Sequence, residues 1–205
     1  MTKIDKTTEE LILNAARKIF TTKGFAAARM DDIAKEAGIN RALLHYYFRS
    51  KDKMFDIIFE EKFREFFMGV GLILGSDMPL FEKIPAIIEH ELTTLAKHPD
   101  VPMFVIGEIS QNPEKFLQRI QSVGVNPKSI SHILDKQIQA EYKKGTIKKI
   151  DGPSLLINIM SLAIYPFIAK NLWQVVFEMD EHDYLKFIEK RKKELSAFII
   201  DGIRA

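Results

Sequence analysis

Residues Ala37 to Lys51, AGINRALLHYYFRSK, place Arg41, His45, Tyr46 and Tyr47 within two helical turns, with Arg49 and Lys51 following at once. Rings that hydrogen-bond beside cations suit docking to a polar or anionic surface rather than bond-making. The rest of the chain offers little else that could do chemistry. Its five histidines, at 45, 90, 98, 132 and 182, lack metal-ligand spacing such as HExxH. There is no phosphate-cradling glycine loop and no nucleophile motif, and the absence of cysteine removes thiol catalysis, disulfides and thiolate metal sites. The sequence therefore predicts no catalytic residues, no metal, no cofactor and no enzyme.

The elements that must carry these residues are all helical by pattern. In the first, Leu11, Ile12, Ala15, Ala16, Ile19 and Phe20 recur at helical spacing after a Thr7–Glu10 capping box and run until Gly24. A second, short helix starts near Asp31 and Asp32, buries Ile33 and Ala37 and stops at Gly38; Asn40 is a good N-cap for a third. Three short helices with a glycine turn between the second and third make a helix-turn-helix. In that motif the N-terminal end of the last helix meets base edges in the major groove. Here that first turn is Asn40, Arg41, Ala42 and Leu43. Arg41 is then a base reader or a phosphate clamp, and Leu44 and Phe48, four apart, face inward. Charge agrees with this placement: residues 1–53 hold 11 Lys and Arg against 7 Asp and Glu, a net of +4, in a chain whose formal total is +2.

Beyond residue 53 the helices lengthen to about 53–74, 80–98, 102–122 with a break near Asn112-Pro113, 127–145, 153–177 and 181–202. The predicted fold is all-α, with a head at 1–52 that continues through a helix into a larger body at 53–205, about nine helices in all. Leu155 to Phe177 is apolar on nearly every side but interrupted by polar residues, which argues against membrane insertion. Pro166 leaves the Leu162 carbonyl without its helical donor and kinks this helix. With the amphipathic final helix it carries more apolar surface than one body easily covers. Homodimerisation through the two C-terminal helices follows, the alternative being that both pack on their own body.

GFAAARMDDIAKEAGINRALLHYYFRSKDKMF, residues 24 to 55, resembles the N-terminal signature of the tetracycline-repressor (TetR) family of bacterial transcription regulators. The remainder resembles that family in its helix count, in Lys144-Gly145-Thr146-Ile147 leading to Asp151, and in the apolar penultimate helix containing Pro166. The resemblance implies a cytoplasmic, DNA-binding regulator, a repressor that binds double-stranded DNA at a pseudo-palindromic operator as a homodimer and answers to a small-molecule effector. It makes Asn40, Arg41, Ala42, Leu43, His45 and Tyr46 candidates for groove contacts, and Tyr47 and Lys51 for phosphate contacts. Tyr47 has the alternative of an interior ring. Where the family has Thr or Ser capping the second helix, this chain has Ala28-Arg29; Arg29 can reach a phosphate but cannot cap. His45 stands for the usual Tyr and Asn40 for the usual Ser. The family's C-terminal domain holds a ligand pocket, for which Phe66, Phe67, His90, Phe104, Glu108, Tyr165 and Trp173 are the candidate rings and polar handles, ordinary core packing being the alternative for each. A helical interaction or membrane-surface protein is the competing function, and it leaves the spacing of the head unexplained.

Overall fold

The computed structural model describes residues 3–99 and 101–205, without the side chains of 3–6, 62, 63, 65, 104, 108 and 111. Among the described residues eleven helices form, and the only extended pairing is one antiparallel bridge between Ile147 and Arg204. They are α1 (Lys3–Ala27), α2 (Met30–Glu36), α3 (Arg41–Tyr47), α4 (Lys51–Gly75), α5 (Leu80–Lys97), α6 (Val101–Gln111), α7 (Pro113–Ser122), α8 (Pro127–Lys143), α9 (Gly152–Ile168), α10 (Lys170–Val176) and α11 (Glu181–Ile203).

The all-α reading stands, with local differences. Helix α1 begins at Lys3, so Thr7 lies inside it rather than capping it. Gly24, at φ 74°, kinks α1 instead of ending it. Asn112-Pro113 separates α6 from α7, and the apolar run after Pro153 divides at Ala169 into α9 and α10, which brings the count above nine. Pro166 explains that division. It removes the donor that Leu162 needs, and the α9–α10 pair bends by 67° shortly afterwards. No single described helix is long and apolar enough to cross a membrane; the bent α9–α10 pair passes that test only when taken together.

The chain divides into two compact units. Unit 1 comprises Met1–Arg64 and Met103–Arg119. Its core is the inward faces of α1 to α4: Ile12, Ala16, Phe20, Ile33, Leu44, Phe48, Met54 and Phe55 are all buried. Each large apolar side chain so buried contributes about 1.5–3 kcal/mol. Phe20, Phe25 and Phe55 pack as tilted or edge-on rings 4.6–5.7 Å apart. From α7, Arg119 lays its guanidinium 4.4 Å from the Phe55 ring and donates from Nε to Asp56 at 2.7 Å, and one turn earlier Lys115 pairs with Asp52. Two i, i+4 pairs thus meet across two helices.

Unit 2 comprises Glu65–Pro102 and Ile120–Ala205. Its centre is α5, packed on α9 and α11. Ile84, Ile87, Ile88, Leu92 and Leu95 of α5 meet a core to which α9 gives Leu155, Ile159, Ala163 and Phe167 and α11 gives Tyr184, Ile188, Leu195 and Ile199. Two charged residues lie within this core. Lys83 is wholly buried, yet its ammonium donates to the Leu74 and Ser76 carbonyls and to Gln137 Oε1 at 2.8–2.9 Å, a cationic cap on the C-terminal end of α4. Burial lowers its pKa. Glu91 is 0 % exposed, and neither carboxyl oxygen has a hydrogen-bond partner. Burial raises its pKa to about 8, so it is held as the neutral acid at pH 7.

Candidate nucleic-acid interface

Helices α2 and α3 meet at a turn that the backbone dictates. Gly38 sits at φ 66°, a left-handed conformation that costs glycine nothing and other residues about 1 kcal/mol. Its N–H and that of Ile39 donate back to Lys35 and Ala34 carbonyls, closing the end of α2. Asn40 then caps α3, its side-chain oxygen accepting the Leu43 N–H at 2.8 Å. At the start of α2 the cap is Arg29, whose guanidinium has no acceptor and makes no capping bond. Asp32 supplies what is missing: its carboxylate accepts the Arg29 N–H at 3.2 Å and pairs with Lys23 at 2.8 Å, and the Lys23 bond, ahead of the Arg29 one, lowers its pKa.

The two faces of α3 differ sharply. Leu44 is 0 % and Phe48 1 % exposed, and together they seat the helix on the core. Asn40, Arg41, Ala42, Leu43, His45 and Tyr46 are all exposed, Tyr46 at 79 %. Tyr47 is half-buried and stands edge-on to Tyr46, with centroids 5.2 Å apart. Arg41 reaches Asp31 at 3.2 Å on one side and makes a long 3.5 Å contact from Nε to His45 Nε2 on the other. Arg49, exposed in the bend between α3 and α4, adds a cation that the helix pattern did not single out, because it lies outside any periodic run.

Lys51 is placed otherwise than its neighbours. Its ammonium donates to the carbonyls of Phe25, Ala26 and Ala28 at 2.7, 3.1 and 3.0 Å and lies 4.5 Å from the Phe25 ring. All three of its donors are engaged on the end of α1, so it ties the first residue of α4 to the segment leading into α2.

The candidate ligand residues fall into two groups within unit 2. Phe66 and Phe67 pack edge-on at 5.2 Å, and the His90 ring lies against Gly69 with Nε2 3.1 Å from the Phe66 carbonyl oxygen. Tyr165 and Trp173, 6.1 Å apart, instead line an open cleft of about 380 Å³ with Pro166, Phe177, Met179, Phe187 and Arg191. The side chains of Phe104 and Glu108 lie outside the described residues.

Comparison with known proteins places this geometry. Residues 12–58 match the model for bacterial regulatory proteins of the tetR family. An HTH-type transcriptional regulator of Bacillus subtilis (strain 168), YhgD, is 27 % identical over 162 residues, covering 74 % of this chain and 78 % of that protein. The fatty acid metabolism regulator protein of the same organism is 23 % identical over 138 residues, covering 67 % and 70 %. Among solved structures, the ketosteroid transcriptional regulator KstR2 of Mycobacterium tuberculosis superposes with a TM-score of 0.67 at 16 % identity, covering 96 % of this chain and 95 % of that one, a likeness of fold. Residues 12–58 thus carry a helix-turn-helix of the tetR type, a helical body follows in sequence, and the chain is a DNA-binding transcriptional regulator.

Proposed function

We propose that the protein is a ligand-responsive repressor that binds a pseudo-palindromic operator as a homodimer, with residues 1–52 as the DNA-binding head and 53–205 as the effector-binding and dimerising body. The observation that carries the reading is the two-faced character of α3: a buried Leu44–Phe48 stripe fixes the helix, and its other face presents Arg41, His45 and Tyr46 to solvent. Arg41 reads a base, since a guanidinium grips guanine O6 and N7 bidentately. Ala42 and Leu43 approach closely or touch a thymine methyl, and His45 and Tyr46 extend the groove contact. Arg29, Arg49 and Tyr47 take phosphates, and Asn40 divides its amide between the cap and the DNA edge. Lys51 acts on the DNA through the α1–α2 segment that it holds.

Dimerisation through α9 and α11 is supported by large apolar side chains left exposed on them, including Ile157 and Phe198 at 62 % and 68 %. A second copy covering such a face removes that surface from water. Related proteins named for fatty acid metabolism and for ketosteroids support an apolar effector class. Occupancy alone represses; an effector that binds the non-DNA-binding arrangement more tightly releases the operator. The test is selection of bound duplexes from a random DNA pool. Enrichment of a site with two related half-sites is the expected result, and a pool that stays random after repeated rounds contradicts the reading.

A further inference from the structure

Pro166 strips the Leu162 carbonyl of its helical donor, and the replacement comes from α11: Arg191 donates from its guanidinium to Leu162 O at 2.8 Å. That bond uses one of five donors. Arg191 Nε is buried without a hydrogen-bond partner, and no carboxylate forms an ion pair with this guanidinium among the described residues. Burial lowers its pKa, opposed only by the more distant Glu194. A cation half removed from water and short of counter-charge is an expensive group to keep.

The cleft beside it has the complementary character. Trp173 and Phe177 stack at 5.6 Å and 20°, and Tyr165 meets Trp173 edge-on, so three rings form one wall, with Met179 and Phe187 completing it. Among the described residues, Arg191 is the only charged one lining it. Tyr165 and Phe177 stand at the rim, 52 % and 59 % exposed, while Trp173, Met179, Phe187 and Arg191 are half-buried and Pro166 is buried. A second copy offering an apolar face would leave the guanidinium unanswered. At about 380 Å³ the cleft lies in the size range of small-molecule sites.

We infer that this cleft between α9, α10 and α11 binds a single amphipathic carboxylate, with its apolar chain or ring system against Trp173 and Phe177 and its carboxylate on the Arg191 guanidinium. The inference rests on the effector-binding reading of the body and names the effector's chemistry. Because Arg191 also holds the carbonyl freed by Pro166, the bound anion sits on the residue that braces the α9–α10 bend.

Trp173 is the only tryptophan in the chain, so its fluorescence reports the cleft without labels. The full chain, free of DNA, is titrated with dodecanoate below its micellar range, in parallel with dodecan-1-ol and with phosphatidylglycerol vesicles. The expected result is a saturable change with dodecanoate, binding weaker by about tenfold or more for the alcohol, which lacks the charge-assisted contact, and no response to vesicles. Arg191→Gln brings the acid's affinity down to about that of the alcohol measured on the same variant, and Arg191→Lys, which keeps a charge and a donor for Leu162, retains part of the preference. If Arg191→Gln proves unfolded by circular dichroism, the carboxylate-against-alcohol comparison on the parent protein decides alone. Equal affinity for acid and alcohol, a vesicle response, or no saturable change because a second copy covers the cleft overturns the inference. None of these results bears on the DNA-binding head, which is tested by selection of duplexes.

Discussion

Replacing Glu91 by glutamine should make the protein progressively more stable than its parent as pH rises. In the fold this carboxyl holds its proton up to a pKa of about 8, whereas its ordinary value is 4.5. The unfolded chain therefore releases the proton earlier, and the parent's stability falls as pH climbs from about 4.5 to 8. The slope is about 1.4 kcal/mol per pH unit for one such group, so roughly 3 kcal/mol is lost between pH 5.5 and 7.5. Glutamine has the same shape and does not titrate. Its amide is as unpartnered as the acid, an offset of about 1–3 kcal/mol that is the same at every pH. The carboxylates whose pKa values are lowered, Asp32, Asp52, Asp151 and Glu181 among them, are present in both proteins and cancel in the difference. The assay is urea unfolding followed by circular dichroism at pH 5.5, 6.5 and 7.5 and at one protein concentration, since the stability of the proposed dimer would depend on it. A variant-minus-parent difference that stays flat across this range would refute a neutral, solvent-free Glu91.

Two further substitutions probe how the units are held. Lys51→Met removes an ammonium from three carbonyl oxygens, and charge-assisted bonds of this kind are worth about 1.5–3 kcal/mol. The melting temperature should fall without any DNA present; an unchanged melt with lost DNA affinity would instead assign Lys51 to a phosphate. Gly152→Ala puts a Cβ 2.5 Å from Asp135 Oδ1, which accepts the Gly152 N–H at 2.7 Å. Displacing that carboxylate should cost about 1–3 kcal/mol, measured by chemical denaturation, and a neutral result would show that the Asp135 contact gives way freely.

Much of this architecture was legible because it is local. Apolar residues at helical spacing place most of the helices to within a few residues, though not the division of 153–177 into α9 and α10, and Gly38 and Asn40 mark the α2–α3 turn through backbone geometry and capping that need no tertiary context. The inward pair Leu44 and Phe48 follows from the same period. What escaped is nonlocal. The family resemblance makes Lys51 a candidate phosphate contact, but the carbonyls its ammonium meets lie 23–26 residues earlier in the chain and are brought to it only by folding. Thr7 carries the right capping signature, yet the helix already runs through residues 3 to 6 and overrides it. The Pro166 kink could be read from sequence, whereas the identity of the group that answers Leu162, Arg191 on α11, could not. Glu91 did leave a signal: it stands three and four residues after Ile88 and Ile87, on the apolar stripe of α5.

The central claim is that α3 reads DNA through Arg41, and the most direct measurement is the affinity of the parent and of Arg41→Ala for a selected duplex and for its variants changed at each base pair in turn. The account predicts that Arg41→Ala loses discrimination at one base pair per half-site, by about 1–3 kcal/mol, and keeps it elsewhere, with a salt dependence close to the parent's. An equal loss on every duplex, specific and random alike, would contradict it.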